Sequence, residues 1–175
     1  MTRISMIGNA GGGKSMLAAA VGRILQLPVF TVDDVQWEPG WQPAPPERVA
    51  IAQAQWLARD GWVIDGWGSW ELIEQRFAAA DTIIFIDFPL STHMRWVRQR
   101  QEEVQRGGRN DWTPPGCDAA SAVDRLQRTM QYVDSVARPL LQEMLTRSTY
   151  ASRTVMIRSP EELEQWRESL GAGTE

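Results

Sequence analysis

The chain carries one cysteine, Cys117, one histidine, His93, and one lysine, Lys14. A lone cysteine builds neither an intrachain disulfide framework nor a cysteine zinc cluster. A lone histidine excludes multi-histidine metal sites, and leaves histidine-based triads only if His93 itself serves. No apolar run approaches the roughly 18 residues of a membrane span, and none precedes the first glycines as a leader would. A soluble, unprocessed protein in a reducing, cytoplasmic setting is therefore expected. Positive charge is in deficit as well: 18 Lys and Arg against 22 Asp and Glu leave a formal charge of -4. Binding of nucleic acid by whole-surface charge is not expected, because phosphate neutralisation needs clustered Lys and Arg. Any phosphate site has to be local.

What is present is enough apolar matter, 43% of 175 residues, to bury the core of one globular unit. Short apolar runs at 4–7, 29–32, 62–64, 82–86 and 154–157 read as strands. Between them lie helical stretches at about 16–25, 47–59, from Ser69 onward, 91–105 and 119–145, the last bending near Pro139. Pro160 opens a final helix at a position that tolerates proline. Ser69 is placed to cap its helix, with Glu71 and Glu74 near the positive end. Residues 38–46 hold four of the ten prolines and should form an extended loop. Strands alternating with helices imply an α/β fold: a parallel sheet with right-handed crossovers and helices on both faces. The nearly continuous apolarity of 82–86 fits a strand covered on both sides. In such sheets ligands gather at the carboxyl ends of the strands, where the glycine loop, Asp33 and Asp34, Asp65 and Asp87 all fall.

Residues 8–15, Gly8, Asn9, Ala10, Gly11, Gly12, Gly13, Lys14 and Ser15, match G-x-x-x-x-G-K-[ST] between a strand and a helix. Glycines let successive backbone N–H groups turn inward around phosphate oxygens, an approach that side chains block. Lys14 is expected to bridge the β- and γ-phosphates, Ser15 to ligate Mg2+, and the following helix to add its positive end. Arginine occupies every other basic position, yet a planar guanidinium does not replace an ammonium in a tight phosphate loop. The bland alternative is a glycine-rich connection between strand and helix.

With this loop, Asp33 after the second strand, Ile64-Asp65-Gly66 after the third, Asp87-Phe88-Pro89 after the fourth and an arginine-rich loop, the chain resembles the adenylate-kinase-like P-loop kinases over nearly its full length. Within that group, Trp37-Glu38-Pro39-Gly40-Trp41, the run from Asp81 to Pro89, Gly116-Cys117 and Arg138-Pro139 are similar to bacterial DNA topology modulation (FlaR-like) proteins. The resemblance implies one P-loop kinase domain over residues 1–175, with a five-stranded sheet in the order 2-3-1-4-5. It also implies an acceptor-side segment at about 34–60, a lid at about 106–118, and ATP and Mg2+ as cofactors. Asp65 is then the Walker-B acid, holding a water of the Mg2+ shell. A turn-capping acid before Gly66 is the alternative, and Asp87 competes for the role.

Adenylate kinases follow the third strand with Asp-Gly-Phe-Pro-Arg, the arginine holding the acceptor's phosphate. Here the run is Asp65-Gly66-Trp67-Gly68-Ser69, which speaks against AMP as acceptor. Asp33 and Asp34 suggest a hydroxyl acceptor, oriented and relieved of a proton by a carboxylate; a solvated loop or helix cap is the alternative. Lid arginines stabilise charge on a transferring phosphoryl group, which nominates Arg106, Arg109 and Arg128 as catalytic and Arg98 as nucleotide-binding. Arg98 could equally pair with Glu102 on an exposed helix. Trp37 and Trp67, two of nine tryptophans, are candidate walls of the acceptor pocket, although packing alone explains buried tryptophans. His93 and Cys117 read as structural. The expected activity is transfer of the γ-phosphate of ATP to a small acceptor bearing a hydroxyl or phosphate. The competing expectation is an ATP-binding regulatory protein associated with DNA topology and lacking a small acceptor.

Overall fold

A computed structural model describes residues 1–107, 113–118 and 122–171 of the chain. Strand β1 (Arg3–Gly8) lies at the centre of a five-stranded parallel sheet, between β5 (Trp62–Asp65) and β6 (Thr82–Ile86), with β2 (Val29–Thr31) and β7 (Thr154–Ile157) at the edges. Counting only the strands of this sheet, the order is 2-3-1-4-5, as the resemblance implied. The register sets Met6 of β1 opposite Asp65 of β5, and Gly8 opposite Ile86 of β6. The carboxyl ends of the three inner strands therefore finish side by side.

Alternation along each strand divides the apolar side chains between two faces. Ile7, Trp62, Ile64, Ile83 and Phe85 pack with α3 (Pro46–Leu57), α4 (Trp70–Ala79) and α7 (Arg138–Thr146), through Val49, Ile73, Phe77 and Leu141. Ile4, Met6, Val63, Ile84 and Ile86 face α1 (Lys14–Leu25) and α9 (Pro160–Gly171), through Leu17, Ala18, Val21 and Leu163. Strands buried on both sides carry apolar residues at every position, which is why 82–86 reads as a continuous run.

Local expectations fare unevenly. Ser69 does cap α4, accepting a hydrogen bond from the Leu72 amide at 3.3 Å. The second strand stops at Thr31, and Asp33 and Asp34 open a short helix, α2 (Asp33–Gln36), where their charge suits the helix N-terminus. The proline-rich stretch expected as an extended loop contains a small hairpin instead, β3 (Trp37–Glu38) against β4 (Gln42–Pro43), with Trp37 opposite Pro43. Gly40 and Trp41 turn it with φ of 74° and 60°. The bend expected near Pro139 is a widened turn just before it: α6 (Val123–Tyr132) runs into a π-helical turn (Val133–Ala137) and then α7. Proline has no N–H to donate and its ring crowds the carbonyl four residues earlier, so the chain opens by one residue per turn there. Helix α5 (Leu90–Gln105) leads away from β6 toward the segment expected to form a lid. Among the described residues no helix is long and apolar enough to cross a membrane.

Candidate active site

The loop between β1 and α1 is pressed against its surroundings more closely than side chains allow. A Cβ on Gly8, whose φ is 150°, would stand 2.5 Å from the Ile86 carbonyl oxygen, and one on Gly11, at φ 70°, would meet Val97 Cγ2 at 2.5 Å. The glycines are thus required by packing as well as by the phosphates they are expected to admit. Asn9 is buried and directs its side chain inward, donating from Nδ2 to the Met130 carbonyl at 2.9 Å while Oδ1 accepts the Ala10 amide at 2.9 Å. Its side chain anchors the loop to α6, leaving only its backbone for a ligand. Lys14 curls over the loop and donates from Nζ to the Asn9 carbonyl at 2.9 Å.

Ser15 Oγ donates to Asp65 Oδ2 at 2.6 Å, across the gap between the first turn of α1 and the end of β5. The other carboxylate oxygen, Oδ1, is buried without a hydrogen-bond partner. A buried anionic oxygen left in this way is costly unless something positive completes it. A Mg2+ ion with its water shell fits that donor set, hydroxyl plus carboxylate oxygen. Among the described residues no group of three or more His, Cys, Asp or Glu could hold a metal. Asp87, the competing acid, is engaged elsewhere: it accepts from Arg138 Nε at 2.5 Å and Gln142 Nε2 at 2.9 Å.

Asp33 lies near both Lys14 and Asp65. Burial, chiefly, and the Asp65 charge raise its pKa above the ordinary 3.8, against the lowering influence of Lys14 and of hydrogen bonds from Gln36 and Trp37. Asp34 is exposed, and partial desolvation followed by Asp65 raises it too. Three carboxylates and one ammonium thus share the edge of the sheet. Beside Asp33 opens a cleft of about 450 Å3 between α2, the β3–β4 hairpin, α3 and the start of α4. Gln36, which donates to Asp33 Oδ1, forms part of its lining, as does Trp37.

Trp67 does not stand among the cleft residues; its Nε1 donates to the Gly8 carbonyl at 2.8 Å and ties the turn after β5 to the phosphate loop. Behind that turn sits Arg76, which sequence reasoning passed over. It is fully buried and donates from Nη2 to the carbonyls of Gly66 at 3.0 Å and Trp67 at 2.7 Å. Burial pulls its pKa down to about 10, with the Asp65 charge opposing. The signal was available: Arg76 shares the buried stripe of α4 with Leu72, Ile73 and Phe77. His93, read as structural, is buried against the loop, where a Cβ on Gly12 would stand 2.8 Å from its Cε1. Burial first, then the charge of Lys14, lowers its pKa to about 4.

Three of the four arginines nominated for phosphate, Arg98, Arg106 and Arg128, have described positions, and all three are exposed. Arg98 and Arg128 are exposed on α5 and α6. Arg106 is exposed and lies 3.9 Å from Glu102, the residue expected to pair with Arg98. Arg109 lies outside the described residues, as do 108–112 of the expected lid. Residues 116–118 of that segment are fastened to the β3–β4 hairpin. Gly40 N donates to the Gly116 carbonyl at 3.0 Å, Trp41 Nε1 to the Asp118 carbonyl at 2.8 Å, and Cys117 Sγ to the Glu38 carbonyl at 3.3 Å. Arg125 covers the Trp37 ring at 5.1 Å and donates to the Trp41 carbonyl at 2.8 Å.

A phosphate-loop motif closes the central strand of a parallel sheet in this order, and the fold is one that this chain shares with solved P-loop kinases. Among particular proteins, a shikimate kinase from Acinetobacter baumannii in complex with shikimate matches at TM-score 0.63 and 11% identity, over 98% of this chain and 92% of that one. A gluconokinase from Sinorhizobium meliloti 1021 matches at TM-score 0.52 and 14% identity, over 99% and 98%. A shikimate kinase from Bacteroides thetaiotaomicron matches at 0.51 and 15%, over 98% and 96%. At such identities the likeness is one of fold. No protein-family model and no curated protein matches the chain, so the narrower FlaR-like resemblance gains no support from these comparisons.

Proposed function

We propose that the chain is an ATP-dependent kinase that moves the γ-phosphoryl group to a hydroxyl of a small molecule lodged in the cleft beside Asp33. The observation that carries this reading is the convergence of Lys14, the Ser15–Asp65 pair and a desolvated Asp33, which Gln36 links to the cleft by lining it and donating to Asp33. Lys14 and the loop amides bind the β- and γ-phosphates, and the N-terminus of α1 adds its partial positive charge. Ser15 and Asp65 hold Mg2+, which neutralises charge on the phosphate oxygens when bound. Asp33 orients the acceptor hydroxyl and takes its proton as the oxygen bonds to phosphorus; the bond to the bridging oxygen breaks and ADP departs. The raised pKa of Asp33 suits a group that accepts a proton during transfer. Arg106, Arg109 and Arg128 belong to the same proposal as lid groups that approach the phosphates on closure, with Arg98 on the nucleotide side. Asp34 and Trp37 flank the acceptor, whereas Trp67 serves the loop.

The test is an ADP-release screen over small hydroxyl compounds, with calorimetric titration of Mg-ATP. Wild type binds Mg-ATP, Lys14→Ala binds it at least about a hundredfold more weakly, and Asp33→Asn binds it but turns over acceptor poorly. Absence of Mg-ATP binding by the wild type would remove the proposal.

A further inference from the structure

The cleft beside Asp33 has a chemical character of its own. Its floor and walls are largely apolar, from Trp37, Ala44, Val49 and Leu72, and its volume of about 450 Å3 falls within the range of small-molecule sites. The charged residues that line it are Glu47 and Glu71, and among the described residues no Arg, Lys or His does so. Asp33, which accepts from the lining residue Gln36, adds a carboxylate just outside the lining, and the charge of Asp65 acts on both Asp33 and Asp34.

The arginines around the cleft are committed in other directions. Arg76 is fully buried, is absent from the lining and gives Nη2 to the Gly66 and Trp67 carbonyls. Arg48, absent from the lining, pairs with Glu38 at 3.2 Å, and Arg125 lies over Trp37 and donates to the Trp41 carbonyl. A carboxylate or phosphate on the acceptor would leave water for largely apolar walls with no cation among the described lining residues to receive it, and with Glu47 and Glu71 lining the same cleft. Burying a charge without a partner is among the most unfavourable steps in recognition.

Resting on the kinase reading above, we infer that the acceptor is a hydroxyl compound without negative charge, with an apolar or aromatic body and a neutral or cationic end toward Glu47 and Glu71. Trp37 offers a flat surface for such a body, and the carboxylates offer acceptors for an ammonium or for further hydroxyls. Hydroxy acids and phosphate esters, shikimate and gluconate included, are disfavoured by the same features.

The experiment compares members of charge-matched sets as acceptors in ADP release by the full chain: a nucleoside against its 5′-monophosphate, an aromatic amino alcohol against the corresponding hydroxy acid, and shikimate and gluconate as further anions. The neutral or cationic member should exceed its anionic counterpart by at least about tenfold in kcat/KM. Glu47→Gln with Glu71→Gln should narrow the gap between cationic and anionic members by roughly two- to fivefold per carboxylate. Turnover of an anionic member equal to or better than its counterpart overturns the inference and leaves the kinase reading standing. An unchanged gap in the double variant overturns the assignment of the cationic end. Protein that binds Mg-ATP but releases no ADP above the acceptor-free rate with any member overturns both.

Discussion

Acidification should loosen this protein through His93 before most carboxylates titrate. The ring is buried beside the phosphate loop and its pKa is lowered from 6.5 to about 4, so the folded state refuses a proton that the unfolded chain accepts. The sign follows: the unfolded state holds more protons between these two values, stability rises with pH across that window, and it is lost as pH falls from about 6.5 toward about 4. Each unit of pKa difference is about 1.4 kcal/mol, so the full effect approaches about 3 kcal/mol, and about 2 kcal/mol of it has gone by about pH 5. His93→Phe removes the titration while keeping a ring of similar size against Phe88, whose centroid lies 5.4 Å from that of His93. Urea unfolding of both proteins at about pH 7.5 and about pH 5 reads the effect as the change in their stability difference, in which carboxylates common to both cancel. Wild type should lose about 2 kcal/mol relative to the variant over that interval. Parallel pH dependence of the two proteins would show that the ring takes up its proton as readily in the fold as in the open chain, and the reasoning fails.

Asp33→Asn should lower acceptor-dependent kcat/KM by roughly a hundredfold or more while retaining Mg-ATP affinity. Because burial and Asp65 raise the Asp33 pKa, the wild-type rate should fall on acidification at a pH above the ordinary 3.8, and an acid limb at or below 3.8 counts against Asp33 as base. Arg76→Ala should destabilise the fold by about 3 kcal/mol in urea, since it strips the Gly66 and Trp67 carbonyls of their donor in a buried place; Arg76→Lys, lacking the planar fork, should recover little of it. Trp67→Phe deletes the hydrogen bond to the Gly8 carbonyl, at about 1 kcal/mol, and should weaken Mg-ATP binding several-fold in calorimetry; unchanged affinity would detach that turn from the phosphate loop.

The phosphate loop was legible because its demands are local. The G-x-x-x-x-G-K-[ST] pattern is complete within residues 8–15, although Ile86 and Val97 add to the demand for glycine at 8 and 11, and the neighbouring strand and helix announce themselves by their apolar runs. The sheet order followed from the likeness to a known class, and the continuous apolarity of 62–64 and 82–86 reflects strands whose side chains alternate between two cores. Other elements answered to contacts that sequence spacing does not record. The proline-rich stretch from Glu38 became a hairpin because Trp41, Gly40 and Glu38 bond to residues 116–118, far along the chain. Arg76 reads as one more arginine on an amphipathic helix until the turn after β5 is folded over it.

Residue chemistry alone determined that a phosphate-loop motif stands at residues 8–15 and that acids stand at the strand ends, since period and composition act over a few residues. Which acid meets Ser15 was decided by tertiary structure. Asp65 and Asp87 are equivalent as text, each an acid closing an apolar strand, but β5 and β6 lie on opposite sides of β1, and packing sets Arg138 and Gln142 against Asp87. Asp65 is left with Ser15 on one oxygen and nothing on the other. The charge of the cleft beside the β3–β4 hairpin was likewise decided in three dimensions, because it depends on which side chains α3 and α4 turn toward one another, and Glu47 and Glu71 come from two separate helices.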